Sequence, residues 1–319
     1  MDLISYKPKK SFSQKHLLRL SDYSRDEILQ VLSLALKLKK QMKEGLMPPI
    51  LARKILAMIF TKSSTRTRVS FEAGIYQLGG IAQFLSSSDI QLGRGEPISD
   101  TAKVLSRMVD GIMIRTFKQS DVEDLARYGS IPVINGLTDL LHPCQVLADL
   151  MTYYEYKGSF KGKLAFIGDG NNVANSLLVG CAKLGLDITV ACPKGCEPNS
   201  EVLSSARAAA QKSGSCIVIT DNPKEAVSDA SAVYTDVWAS MGQEASAEEK
   251  YKYFTGYQVN TELMSLCKKD VIFLHCLPAH RGEEVTADVI DGPHSVVFDE
   301  AENRLHAQKA VMVLLMQDR

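Results

Sequence analysis

The residue types best able to do chemistry in this 319-residue chain gather where apolar runs end. KILAMIF at 54–60 hands over to TKSSTRTRVSFEAG, so a strand gives way to a helix at Ser64, Thr65, Arg66 and Thr67. Free N–H groups at a helix start, hydroxyls and a guanidinium make a pocket suited to phosphate. The plainer reading is that Ser and Thr cap the helix while Arg66 and Arg68 are solvated. The pattern is not a P-loop, because GxxxxGK[ST] is missing. GIMIRT at 111–116 ends in Arg115, either a working side chain or the first residue of an exposed loop. DLLHPCQVLADL sets His142 and Gln145 around Pro143 just before a helix, where imidazole and amide share the place of the helix N-terminus. A lone His is more often structural than catalytic, and Cys144 reads as packing.

The second half repeats the arrangement. FIGDGNNVANS resembles a dinucleotide fingerprint only in part: Gly168 and Gly170 fit GxGxxG, the third position is Val173, and DITVACPKG ends without an acid. Asn171 and Asn172 offer amides for an amino-acid ligand, or simply supply a turn. TDVWASMGQE adds Asp236, Ser240 and Met241; a carboxylate there grips an ammonium group or caps a turn. HCLPAHRGEEV puts His275, Cys276, Leu277 and Pro278 at the end of VIFL. Cys276 is by default a small buried hydrophobe, or else a thiolate at a strand end. No metal is expected, since Cys276 and His280 lack a second Cys or His pair at ligand spacing. Arg304, in the ENR opening of the last helix, carries the same two readings as Arg115.

The elements that position these residues follow from periodicity. From Ser24 to Lys43 apolar residues recur at helical spacing, with Ser24 and Glu27 as a capping box and Gly45 as the stop. KILAMIF, IAQFL (81–85), GIMIRT and IPVING (131–136) then alternate with helical patterns, which predicts a parallel sheet covered by helices. A second series runs through KLAFIGD (163–169), DITVAC (187–192), CIVIT (216–220), AVYTDV (232–237) and VIFLHCLP (271–278). The expected fold is therefore α/β, with two doubly wound domains over 1–150 and 151–300 and a last helical segment, 301–319, to be docked. In open parallel sheets ligands bind at the carboxyl ends of strands, where the polar segments lie.

Bulk composition narrows the function. A chain of this length exceeds the size at which one core stops growing, so two domains of about 150 residues are the natural expectation. Lys plus Arg and Asp plus Glu both total 37, so no global charge draws the chain to nucleic acid or anionic membrane. The seven scattered Cys suggest reduced thiols and a cytoplasmic setting. The N-terminal segment has no apolar core like a signal peptide's, and no run approaches the roughly 18 apolar residues of a membrane span.

Taken in order, STRTR at 64–68, HPCQ at 142–145, DVWASMG at 236–242 and HCLP at 275–278 resemble the aspartate/ornithine transcarbamoylase family, over nearly the whole chain. HPCQ, SMG and HCLP look like the ornithine branch. The resemblance implies that Ser64, Thr65, Arg66 and Thr67 hold the phosphate of carbamoyl phosphate, with Arg115, His142 and Gln145 around the carbamoyl group. It implies that Arg304 reaches the same substrate, that Cys276 and Leu277 line the junction of the two substrates, and that Gln91 comes from a neighbouring subunit of a homotrimer. Asn172, Asp236, Ser240 and Met241 match ornithine-binding positions. The last helix is similar to one that packs back on the first domain in this family. One departure stands out, in that many members carry Glu in place of Thr61; QLGRGEP at 91–97 lacks the Lys of the aspartate branch, which argues against aspartate as acceptor.

The reaction so implied is attack of ornithine's neutral amine on the carbamoyl carbon, with no cofactor. Arg115, His142 and Thr67 then polarise the carbonyl, Arg66 and Ser64 steady the departing phosphate, and domain closure excludes water. An alkylammonium with a pKa of about 10.4 costs roughly 4 to 5 kcal/mol to deprotonate at pH 7, so Asp236 and Cys276 are expected to orient the amine and accept its proton. The rivals are a sister transcarbamoylase using putrescine, acylated ornithine or aspartate, a nicotinamide-dependent oxidoreductase, and an amino-acid-binding protein without activity.

Overall fold

The computed structural model describes residues 2–239 and 251–317. The chain divides into two compact units, Met1–Met151 with Glu302–Arg319, and Thr152–Ala301.

The first unit opens with α1 (Arg25–Lys43), started by a complete capping box in which Ser24 Oγ accepts from Glu27 N at 3.2 Å and Glu27 Oε2 accepts from Ser24 N at 2.8 Å. Gly45, at φ 76°, takes the left-handed conformation that ends it. There follow β1 (Ile55–Phe60), α2 (Thr65–Gln77), β2 (Ile81–Ser86), α3 (Ile98–Leu105), β3 (Gly111–Arg115), α4 (Gln119–Tyr128), β4 (Val133–Leu137) and α5 (Pro143–Lys157). The strands form one parallel sheet in the order β2-β1-β3-β4. β1 and β3 are central and buried on both faces, which is why they read as unbroken apolar runs rather than alternating ones.

Register decides what these strands deliver. Phe60 lies opposite Arg115, and Arg115 opposite Leu137, so β1, β3 and β4 end level. The chain runs from β1 outward to β2, then returns to the other side for β3 and β4, making β1/β3 the switch point where a crevice opens. Thr61 donates through both N and Oγ1 to the Arg115 carbonyl, at 2.9 and 3.3 Å, and ties the two strand ends together.

The second unit holds β5 (Lys163–Ile167), α6 (Asn172–Leu184), β6 (Asp187–Ala191), α7 (Ser200–Ser213), β7 (Ile217–Thr220), α8 (Pro223–Val227), β8 (Ala232–Thr235), α9 (Thr261–Met264), β9 (Ile272–His275) and α10 (Ala287–Ile290). Its parallel order is β7-β6-β5-β8-β9, with the switch point at β5/β8. Ile167, Thr235 and His275 sit opposite one another, so the loops beginning at Gly168, Asp236 and Cys276 leave one edge together. Gly170 owes its identity to packing: a Cβ there would stand 2.3 Å from Pro198 N and 2.4 Å from the Glu197 carbonyl carbon. The glycines that resembled a nucleotide fingerprint thus serve a close approach between two loops of the protein itself.

The last helix, α11 (Val297–Met316), crosses from the second unit into the first, where Met312 and Lys309 pack against Gly74 and Met316 against Gly111. The return of the C-terminal helix to the first unit follows the expectation drawn from the family. Its middle turns bury Lys39, whose Nζ donates to Asn303 Oδ1 at 2.8 Å, Lys309, and His306. Burial, with help from Lys309 and Lys39 and against Glu302, pushes the His306 imidazole down to about 4. The folded value lies below the usual 6.5, so the unfolded chain takes up a proton first and stability falls as pH drops from 6.5 towards 4. A His306→Gln protein should lose less stability over that window, by about 1 kcal/mol per pH unit in urea unfolding; pH curves parallel to those of the parent would contradict the assignment.

Candidate active site

In the first unit the strand-end segments converge on α2 and α11. Ser64 is the N-cap of α2 and accepts from Thr67 N at 3.2 Å. Capping and substrate binding are not rival roles here, because the cap leaves the N–H groups of Thr65 and Arg66 at the helix start, where an anion is favoured. Thr67 is buried, and its Oγ1 accepts from Arg304 at 3.2 Å. The same guanidinium donates to Gln145 Oε1 at 2.5 Å, and Gln145 Nε2 donates to Asp149 Oδ1 at 2.8 Å. Gln308 completes the set: with its amide oxygen turned to Arg304 it accepts from Nε and a terminal nitrogen at 3.1 and 3.0 Å while its nitrogen reaches Ser70. Arg304, Gln145 and Asp149 are nearly inaccessible to solvent.

His142, the residue before α5, is buried and held well below the ordinary imidazole range, first by desolvation, then by the Arg304, Arg115 and Arg66 guanidiniums. Three cations therefore surround a ring that is neutral at pH 7. Such a ring donates to a carbonyl oxygen without adding a proton, while the guanidiniums suit phosphate oxygens. Cys144 is the small buried residue expected: its thiol donates to the Asn135 carbonyl and burial pushes it up to about 12. Lys62, which the sequence reading passed over, is also buried; it pairs with Asp139 and lies 4.2 Å from the Phe117 ring centroid. Arg68 points elsewhere, stacked 3.8 Å over Phe84 and paired with Glu72.

In the second unit Asp236 follows β8 and is buried. Its Oδ1 accepts from Val237 N at 2.8 Å and from the Cys276 thiol at 3.0 Å. Asn171, the N-cap of α6, donates to its Oδ2 at 2.7 Å. Cys276 is followed by Leu277 at φ 56°, a left-handed conformation costly for a branched side chain. The conformation is held by Leu277 N donating to His275 Nδ1 at 2.9 Å. Since Nδ1 accepts, the ring proton sits on Nε2, which meets Glu284 Oε1 at 3.1 Å. Glu284 is fully buried and also accepts from His280 N at 2.7 Å. Glu300 closes the frame, taking His275 N at 2.9 Å and Tyr234 OH at 3.2 Å.

The structure thus joins Ser64, Thr67, Gln145 and Arg304 by direct bonds, sets Arg66, Arg115 and His142 in one electrostatic group with Arg304, and pairs Asp236 with Cys276. Thr65 is exposed at the α2 start, and Asn172 begins α6. The Gln91 side chain is exposed and makes no hydrogen bond among the described residues. Ser240 and Met241 lie outside the described residues. Asp149, Gln308 and Glu284 were not anticipated; the first two stand four residues beyond Gln145 and Arg304, one helical turn along the same face.

Among the described residues two groups have potential metal-ligand atoms within 4.8 Å of one another, Asp236 with His275 and Cys276, and His280 with Glu283 and Glu284. In the first, both His275 nitrogens are committed, to Leu277 N and Glu284. In the second, Glu284 Oε1 is committed and His280 and Glu283 are solvent-exposed side chains. Neither offers the closed donor set of a structural metal site.

The sequence matches the family described as aspartate/ornithine carbamoyltransferase, through its carbamoyl-P binding domain over residues 15–155 and its Asp/Orn binding domain over residues 161–315. The second match runs through the segment from 302 onward that packs in the first unit. The chain is 61% identical over 306 residues to an ornithine carbamoyltransferase of Caldicellulosiruptor saccharolyticus, covering 96% of this chain and 99% of the relative. It is 60% identical over 314 residues to one from Oceanobacillus iheyensis, covering 97% and 98%. Among solved structures, the ornithine carbamoyltransferase of Pyrococcus furiosus superposes with a TM-score of 0.93 at 55% identity, over 96% of this chain and 98% of that one.

Proposed function

The chain belongs to the aspartate/ornithine carbamoyltransferase family, and from that premise we propose that it transfers the carbamoyl group of carbamoyl phosphate to the side-chain amine of L-ornithine, giving L-citrulline and phosphate. The observation that carries the choice of acceptor is the 61% identity to an ornithine carbamoyltransferase over 99% of that protein's length. Ornithine-dependent release of phosphate from carbamoyl phosphate by the purified protein is the expected activity, and its absence would overturn the reading.

The first unit takes carbamoyl phosphate. Ser64, Thr65, Arg66 and Thr67 hold the phosphate at the start of α2, and Arg304, fixed by Thr67 and Gln145, adds a guanidinium. Neutral His142, with Arg115, donates to the carbamoyl oxygen as charge grows there. The second unit takes ornithine through Asp236, Asn172, Ser240 and Met241. Leu277, with Cys276, contacts the carbamoyl group, and Met151/Thr152 marks the border between the two roles.

The amine's proton must leave before attack, at the cost of several kcal/mol noted above. Here the Cys276 thiol donates to Asp236. A cation bound beside Asp236 favours loss of the thiol proton to solvent; the thiolate then accepts one proton from the ammonium, the freed nitrogen pair bonds to the carbamoyl carbon, the carbon–oxygen bond to phosphate breaks, and the departing phosphate takes the second nitrogen proton. Cys276→Ser should lower kcat about 10²-fold and shift its pH profile. A profile unchanged in shape would remove Cys276 from this role.

The enzyme works as a trimer with Gln91 serving a neighbouring subunit. This is supported by the open edge of β2, where Ile81 and Phe84 are solvent-exposed, and by the exposed Gln91 side chain. Light scattering should give a particle of three chains. All seven Cys carry thiols rather than disulfides, which supports a cytoplasmic setting, and among the described residues no helix is long and apolar enough to cross a membrane.

A further inference from the structure

We propose that Asn171 is a positioning residue for the amine-binding carboxylate, holding Asp236 in the one orientation that presents a lone pair of Oδ2 to ornithine's amine; this rests on the reading of Asp236 given above. The side chain of Asn171 does two things at once. Its Oδ1 accepts from Val173 N at 2.9 Å and Ala174 N at 3.1 Å, capping α6. Its Nδ2 donates to Asp236 Oδ2 at 2.7 Å. Two bonds to the oxygen fix the amide plane, and a fixed plane fixes the direction in which Nδ2 donates.

The backbone carrying that amide is fixed as well. Gly170 N donates to the Cys196 carbonyl at 2.8 Å, and the missing Cβ of Gly170 lets the loop lie against residues 196–198. A cap alone does not explain Asn at this place, because Ser, Thr and Asp cap comparably. Of these four, Asp has no donor, and Ser and Thr must accept and donate through one hydroxyl that ends an atom short of Nδ2; Asn caps with one atom and donates with another.

The count on the carboxylate shows what the gift achieves. Each carboxylate oxygen accepts about two hydrogen bonds. Among the described residues Oδ1 is filled by Val237 N and the Cys276 thiol, while Oδ2 receives only the Asn171 amide. Without that third bond the carboxylate can turn about Cβ–Cγ and spend Oδ2 elsewhere. With it, the remaining acceptor position on Oδ2 points one way, and the ammonium docks on the oxygen that Asn171 holds.

The test is a double-mutant cycle. Asn171→Ser and Asn171→Asp both retain a cap acceptor for α6, but the Ser hydroxyl ends one atom short of the Nδ2 that reaches Asp236, and Asp has no donor and sets a like charge against it. Each is made in the parent and in the Asp236→Asn protein. We expect kcat/KM for ornithine to fall about 10- to 100-fold for Asn171→Ser and further for Asn171→Asp, the size of a lost hydrogen bond to a charged group. KM for carbamoyl phosphate should stay within about twofold, and in the Asp236→Asn background Asn171→Ser should cost less than about twofold more. Losses that multiply across the two positions, equal losses for both substrates, or no loss would overturn the proposal, as would failure of both Asn171 variants to fold. If Asp236→Asn leaves ornithine kinetics untouched, it is the reading of Asp236 that has failed, and the role of Asn171 falls with it.

Discussion

Replacing Arg304 by Gln should lower kcat/KM for carbamoyl phosphate by about 10³-fold while leaving a folded protein. The guanidinium is buried, anchored by Thr67 and Gln145, and contributes the largest charge effect on His142. Removing it withdraws one phosphate-facing cation in a poorly solvated place and unpins Gln145. It also relaxes one restraint that keeps His142 neutral. Arg304→Lys separates charge from shape: a point charge cannot reach Thr67 and Gln145 in the same fork, so it should recover only part of the loss. Steady-state kinetics with carbamoyl phosphate varied at saturating ornithine make the comparison. A change smaller than about fivefold in the Gln protein would remove Arg304 from the site.

The second large effect is expected at Glu284, where Glu284→Ala should cost about 3 kcal/mol of stability in urea unfolding and depress kcat with it. The carboxylate is fully buried and supplies one oxygen to both His275 Nε2 and His280 N. Its removal strands two donors and leaves a void beside β9. His275 in turn anchors the backbone N–H of Leu277, so the loop bearing Cys276 loses the bond that holds it at positive φ. Glu284→Gln keeps an acceptor oxygen and should cost about 1 kcal/mol. Equal and small costs for both variants would mean that the His275–Glu284 contact does not hold the loop.

Much of this was legible along the chain because the signals are local. All nine apolar runs read as strands are strands, eight of them within two residues of their expected ends and VIFLHCLP ending three residues early at His275, and the Ser24–Glu27 capping box is present in both its bonds. Parallel sheets buried on both faces leave long Val, Ile and Leu runs that cannot be mistaken for amphipathic helices of the same length. The phosphate segment was legible for the same reason, since Ser64 to Thr67 are consecutive and open a helix.

What stayed hidden depends on pairs that periodicity does not link. Asp149 and Gln308 matter only because Gln145 and Arg304, 159 residues apart, meet. Glu284 reaches His275 around the turn that carries His280. Lys62 carries no local signal in the TKSSTRTR segment, and its burial comes from Phe117 and Asp139, on the segment after β3 and the one after β4. The alternatives at Ser64, cap or ligand, and at Asn171, ligand or turn, hid that both residues cap a helix and that a cap leaves the neighbouring groups at the helix start available.

The most direct measurement is citrulline formation by the purified protein given carbamoyl phosphate and, in parallel, ornithine, putrescine, N-acetylornithine or aspartate, with carbamoylated product assayed in each case. Carbamoyl transfer to ornithine, with citrulline as product and the other three acceptors left unreacted, is the predicted result. Preferential carbamoylation of another acceptor would contradict the acceptor site built on Asp236 and Cys276, and no product with any of the four would contradict carbamoyl transfer itself.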